Sequence, residues 1–512
     1  MYFVFIYLNI IFKIQIQIVH ISFIIPTYKM KILNILNNLH SNQMQSFNLF
    51  MESPFFSITE EQGQLYKILK PYLRKEILDS LVQKEIYTSY ITRYKPLTSA
   101  QFNKMTFKFR ELIEQFLAYD AFSKNEQQKS LALLESYSSF ADSRHYKKAH
   151  QQHINLLEKS PERGESYYGQ LARLKSDLYF HSSYSKDTTD AGALIYSAQE
   201  ELDSSYILSK LLLATELTYR TKNSKEKHDV SLLKLVIEEA KKKKFPIFDF
   251  FLGLIELQKE KPPKDLFTEL KEWFIEHIVL IDQKNKGTIL AMLLNYANKQ
   301  YQKGDSGYLI ALFDLNKLGV KHLLFLDHSG KMSEAAFTNI VITCCLCKEF
   351  GYAHHYLKIN HNYLSPNSRE NTVNFCMAYI YFHSGHYEKA WAQLIGTKFT
   401  TINYKIRSRA LLVRCIYEGI PFDKKLEEKL TTELQNFRKY IYRMSSFYNG
   451  LKPRYYNMIT VIRALKNYDN RYEDGSVFYE KWTLFISENS IVAKDWLLKK
   501  IEEKIKTKDT SE

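Results

Sequence analysis

Residues 379–391 read YIYFHSGHYEKAW, and their reading decides the fold. An aromatic-rich run with helical period ends at Gly385, and a second helical pattern starts just beyond it. A turn this short between two helices leaves little room for a side chain, which is a physical reason for glycine there. Gly351, Gly385 and Gly419 fall 34 residues apart, in the contexts KEFGY, FHSGH and IYEGI, each after an apolar helical run. The spacing predicts pairs of antiparallel helices, each pair stacking on the next.

The same period extends outward from this stretch. Thr59 with Gln62, and Thr98 with Gln101, form the pattern of a capping box ahead of a helix. Leu65, Ile68, Leu69 and Tyr72 follow the first, and Met105, Phe109, Leu112, Ile113, Phe116 and Leu117 follow the second, as single apolar stripes. Short breakers such as KPPKD (261–265), KGDSG (303–307) and LSPNSRE (364–370) separate later helices, which must then lie antiparallel to their neighbours. No run reads as a strand bounded by hairpin turns. Only 16 glycines and 11 prolines occur in 512 residues, about half the usual frequency of each, as long helices require. The expected fold is all-α. An N-terminal helical domain spans 30–125 and an α-solenoid follows, with degenerate hairpins over 135–335 and clearer repeats over 336–440. Helices over 441–508 close the array, ending on Leu497, Ile501 and Ile505.

The chain carries a net charge of +15, with 71 Lys and Arg against 56 Asp and Glu. The densest cluster, EEAKKKKFP at 238–246, places its lysines at a helix C-terminus, where they complement the dipole. The excess therefore reads as solvated helix faces, with a nucleic-acid-associated regulator as an alternative needing its basic residues gathered on one face. Five cysteines make no disulfide scaffold for a chain of this size and point to a reducing, cytoplasmic setting. Residues 1–29 form an apolar extension whose opening run stops at Lys13, short of the ~20 residues that span a bilayer. The preferred reading starts translation at Met30; a membrane anchor over 1–29, tethering a scaffold, is the alternative.

The middle repeat resembles the tetratricopeptide consensus. Met377 and Ala378 take the Leu–Gly position of its first helix, Tyr381 the aromatic one, and Gly385 with Tyr387 the turn. Ala390 is the small residue where the helices approach, and Leu394 packs behind it. Asn374 stands where the consensus carries Trp, and no proline closes the unit. Lys424 and Tyr356 occupy the small-residue position after Gly419 and Gly351, unless the register of the latter slips. FNLFMESPFF, LLNYANKQYQKG, FTNIVITCCLCKEFGYA and KDWLLKK are also similar to segments of a family of uncharacterised bacterial helical-repeat proteins, over about residues 32–505. That likeness implies the fold and no activity.

Several constellations bear on chemistry. CCLC at 344–347 puts Cys344 and Cys347 on one helix face with His354 and His355 beyond, but inside a helix cysteine serves as a small apolar filler, so no metal is expected. Phosphate-loop, dinucleotide, zincin and nucleophile-elbow motifs are missing from the sequence, and Asp327, His328 and Ser329 are merely adjacent in a turn. The expectation is a non-enzymatic, cofactor-free interaction scaffold whose concave face receives a protein or peptide. By the resemblance, Thr372, Phe375, Tyr379, Phe382 and His383 face that groove; otherwise they pack between repeats.

Overall fold

The computed structural model describes residues 31–73, 80–140, 142–182, 184, 191–223, 230–399, 401–445, 450–469 and 471–506. The N-terminal extension, and with it the choice between Met30 and an anchor, lies outside them. Among the described residues the chain is all-α: twenty-three helices, four short 3-10 turns, and one isolated β-bridge between Leu326 and Met332. No helix among them is long and apolar enough to cross a membrane. The chain divides into two compact units: the described residues up to Ser160 with Gln170–Glu200, and Pro161–Gly169 with the residues from Glu201 onward.

The first unit begins with α1 (Lys31–Asn37), α2 (Ser41–Glu52), α3 (Glu60–Leu69), α4 (Ser80–Arg93) and α5 (Ser99–Lys124). α6 (Glu126–Ser138) and α7 (Ser143–Lys159) follow, with parts of α8 (Glu165–Phe180) and α9 (Ala191–Asn223). Both capping boxes form: Thr59 accepts from Gln62 N–H while Gln62 Oε1 accepts from Thr59 N–H, and Thr98 with Gln101 repeats the exchange. Each cap is worth about 1 kcal/mol and fixes where the apolar stripe starts. Those stripes meet around Phe47, whose ring stands edge-on to Tyr66 at 5.2 Å and to Phe116 at 5.0 Å.

The second unit continues through α10 (Leu233–Lys242), α11 (Pro246–Leu257), α12 (Leu266–His277), α13 (Gln283–Gln302) and α14 (Tyr308–Lys321). Then come α15 (Glu334–Leu346), α16 (Phe350–Asn360), α17 (Pro366–His383), α18 (Tyr387–Gly396), α19 (Ile402–Gly419) and α20 (Leu426–Arg443). α21 (Lys452–Asn467), α22 (Gly475–Glu488) and α23 (Lys494–Lys506) end it. Helices pack in sequential pairs, α13 on α14, α15 on α16, α17 on α18 and α19 on α20, with α15, α17 and α19 side by side, a solenoid-like arrangement. Lys241 and Lys242 close the last turn of α10, as the charge pattern predicts.

Three of the turns within pairs share one geometry, which differs from the 34-residue glycine series. Gly385 has φ +83°, its N–H donates to Phe382 O at 3.2 Å, and His386 N–H reaches back to Tyr381 O at 2.8 Å. This is a Schellman motif, and positive φ, rather than lack of space, is why glycine suits it: an added Cβ would meet nothing within 4 Å. Lys348 (φ +61°) repeats the motif between α15 and α16, with Glu349 N–H on Cys344 O at 2.8 Å. Gly304 (φ +104°) repeats it between α13 and α14.

Lys348 and Gly385 are thus equivalent, 37 residues apart, and Ala353 and Ala390, both fully buried, each lie five residues beyond them. Gly351 instead lies inside α16 with open space around it, so the turn role assigned to it does not hold. Gly419 is the last residue of α19, where a Cβ would stand 2.6 Å from Leu426 Cδ1; it permits close approach without making the turn. Tyr356 is a core residue, since Ala353 takes the small position. Met377 and Tyr381 pack partly buried against the cores, Ala378, Ala390 and Leu394 lie within them, and Tyr387 sits against Phe382. Asn374 accepts from Gln393 Nε2 at 2.9 Å, tying α17 to α18 where a tryptophan would otherwise pack.

A non-glycine residue in the left-handed region costs about 1 kcal/mol. Lys348→Gly removes that cost, so the variant should be about 0.5–1 kcal/mol more stable, read as a higher urea midpoint at unchanged slope. A lower midpoint would show that the lysine side chain contributes more than its backbone loses.

Candidate interaction site

Two helical i, i+4 pairs build the most unusual polar cluster of the second unit. On α17, Tyr379 and His383 stack with centroids 4.5 Å apart. On α19, Arg414 and Glu418 stand one turn apart in the run ALLVRCIYEG. α23 lies across both: Trp496 is edge-on to Tyr417 at 5.5 Å and to Phe382 at 6.5 Å. Its indole Nε1–H donates to Glu418 at 2.6 Å, and Lys500 donates to Glu418 at 2.7 Å and to Glu503 at 2.7 Å. From α13, Tyr301 donates its hydroxyl to Asp495 at 2.8 Å, a contact spanning 194 residues of sequence.

Arg414 is 6 % exposed and, among the described residues, has no carboxylate within ion-pair reach; Glu418 is turned toward α23. Its guanidinium instead lies 4.2 Å from the Phe382 ring centre and 5.2 Å from that of Trp496, and interacts electrostatically with Tyr379. Its Nε meets no partner. Cation–π contacts contribute about 1–2 kcal/mol each when desolvated, less than the several kcal/mol that burying a charge costs. Burial accordingly lowers the Arg414 pKa. Burial first, then the Arg414 charge, holds the His383 imidazole down to about 3, so it is neutral at physiological pH, with Nε2 unpartnered.

The residues expected to line an open groove fall into two groups. Thr372, Phe375 and Phe382 are 0 %, 2 % and 4 % exposed and form part of the core rather than the lining of an open groove, with Phe382 covered by Trp496 of α23. Thr372 accepts from the Tyr404 hydroxyl at 3.0 Å and donates to Ser368 O at 2.9 Å; Phe375 packs on Tyr404 and Phe399. Tyr379 and His383 do converge on one place, the cluster around Arg414. Arg414, Glu418, Tyr301 and Trp496 join them there without any motif that marks them in the sequence. A lone arginine inside LLVRCIY is the one signal that could have drawn attention to them.

Other chemistry-bearing groups are accounted for locally. Cys344, Cys345, Cys376 and Cys415 are buried free thiols, and burial pushes Cys344 and Cys376 up to about 12, as expected of apolar filler. His354 and His355 are exposed on α16. Asp327 Oδ1 accepts from Ser329 N–H, Ser329 Oγ–H and Lys331 N–H, holding its own turn. A cavity of about 10 Å³ beside Asp282, Gly164 and Asn285 has room for one water. Burial raises the Asp282 pKa, and a Cβ on Gly164 would stand 2.3 Å from its Oδ2.

Since His383 titrates near 3 when folded and about 6.5 when unfolded, the unfolded chain binds more protons between those values. Stability carried by neutral His383 is complete above pH 6.5 and drains away as pH falls toward 3. At pH 5 the expected loss is about 2 kcal/mol, and His383→Gln should flatten that part of the stability–pH curve. An unchanged slope in the variant would assign the acid sensitivity to another group.

The chain matches no family model, no curated protein and no solved structure.

Proposed function

We propose that the chain is a non-enzymatic interaction scaffold, a tetratricopeptide-like array of helix pairs that receives a helical segment of another protein. The observation carrying this reading is the seating of α23 on α13, α17 and α19 through Asp495, Trp496 and Lys500: this face already accepts a helix. Recognition rests on the aromatic seat of Phe382 and Tyr417 and on the flanking charges of Arg414 and Glu418, a combination typical of interface anchors. Five unpaired cysteines suit a cytoplasmic setting.

Affinity purification of the full chain from its native cell, with crosslinking, tests the proposal. A stoichiometric protein partner crosslinked to residues of α13, α17 or α19 is the expected result. A clean monomer under several growth conditions, or a partner crosslinked only elsewhere, would overturn it.

A further inference from the structure

We infer that α23 is an autoinhibitory latch: it occupies the recognition face as a stand-in for the partner, and an amphipathic helix bearing an aromatic anchor and a basic residue four positions on displaces it. This deepens the scaffold reading and rests on it. Three observations carry the inference. The first is the footprint. α23 presents Trp496 to Phe382, Tyr417 and Arg414, and Lys500 to Glu418, whose side chain is only 11 % exposed and needs a cation from whichever helix sits there. An aromatic and a base at i and i+4 lie on one helix face, so any helix with that pair reproduces the docking.

The second is the hinge. Ala493, the residue before α23, sits at φ +60°, a left-handed backbone that alanine adopts only under strain. Undocking α23 lets that residue relax, so the strain opposes the closed state. The third is incomplete satisfaction beneath the helix. Among the described residues Arg414 is buried without a carboxylate and Arg414 Nε and His383 Nε2 have no partner, while Asp495 and Glu503 of α23 are directed elsewhere, to Tyr301 and to Lys500. The latch closes the face without filling its hydrogen-bonding capacity, which leaves a partner room to bind better.

Tethering sets how much better. The link from α22 is short, so the effective concentration of α23 at the face is of order millimolar. A free helix with the same contacts, present at micromolar concentration, therefore loses to the latch by roughly a thousandfold.

The probe is a fluorescein-labelled peptide of residues 494–506, KDWLLKKIEEKIK, added to full-length chains. The unmodified chain should bind it weakly. The double variant Trp496→Ala, Lys500→Glu, which loses the aromatic anchor and sets a like charge against Glu418, should bind it at least tenfold more tightly. A charge swap then fixes the site: in a Trp496→Ala, Lys500→Ala chain, whose own helix carries no charge at 500, adding Glu418→Lys should abolish binding of the native peptide and admit one carrying Lys500→Glu. Equal weak binding by a latch variant with unchanged circular dichroism would overturn the inference. Hydrogen exchange on the unmodified chain decides independently of any variant's folding. α23 amides should exchange faster than those of α21, whereas exchange of both only by global unfolding makes α23 ordinary core. Because the peptide is the chain's own, these outcomes stand apart from whether a cellular partner is found.

Discussion

Phe375→Ala should lower the stability of the second unit by about 3–5 kcal/mol, the usual cost of emptying a buried aromatic site. The ring is 2 % exposed and is held on every side: by Tyr404 at 5.5 Å, Phe399 at 6.4 Å, Tyr379 at 6.2 Å, and the Arg407 guanidinium 4.8 Å from its face. Tyr404 in turn binds Thr372 and Thr338, at 3.0 and 3.1 Å, so the cavity would loosen the hydroxyl network joining α15, α17 and α19. A groove residue would behave otherwise, costing little stability while weakening a partner. The expected readout is a large fall in the urea midpoint of helical signal, with the slope preserved. A fall below about 1 kcal/mol would return Phe375 to the surface role that its sequence position suggests.

How far the sequence reached is clear from particular residues. The capping boxes at Thr59 and Thr98 form as read, because a cap depends on four neighbouring residues and nothing distant. Ala390 and Leu394 are buried where the repeat pattern puts them. The glycine series misleads because equal spacing does not impose equal geometry. Gly351, Gly385 and Gly419 sit in a helix, a turn and a helix end, while the true partner of Gly385 is Lys348, a residue with no sequence signal for positive φ. The side a helix presents was harder still. Thr372, Phe375 and Phe382 share α17 with Tyr379 and His383, and only the packing of α19 and α23 separates core from cluster. Arg414 and Trp496 lie 82 residues apart, and no local pattern announces that they meet.

Arg414→Met should make the protein more stable, by about 1–3 kcal/mol. Two opposing contributions set the sign. Removing the guanidinium forfeits its contacts with Phe382 and Trp496, about 1–2 kcal/mol each, and its electrostatic interaction with Tyr379. It also removes a buried cation with no carboxylate among the described residues, whose desolvation costs several kcal/mol, and methionine fills comparable volume with a flexible apolar chain. Glu418→Ala supplies the contrast. That carboxylate is fully engaged by Trp496 Nε1 and Lys500, so its loss leaves Lys500 with Glu503 alone and should destabilise by about 2 kcal/mol or more. Opposite signs for two charges one turn apart would separate a residue that the fold requires from one that the fold merely tolerates. A stabilising Arg414→Met that also weakens peptide uptake by the undocked chain would mean that Arg414 is kept for recognition at the expense of stability. Destabilisation beyond about 1 kcal/mol would instead show the aromatic and phenolic contacts outweighing desolvation, and would make Arg414 part of what holds α17, α19 and α23 together.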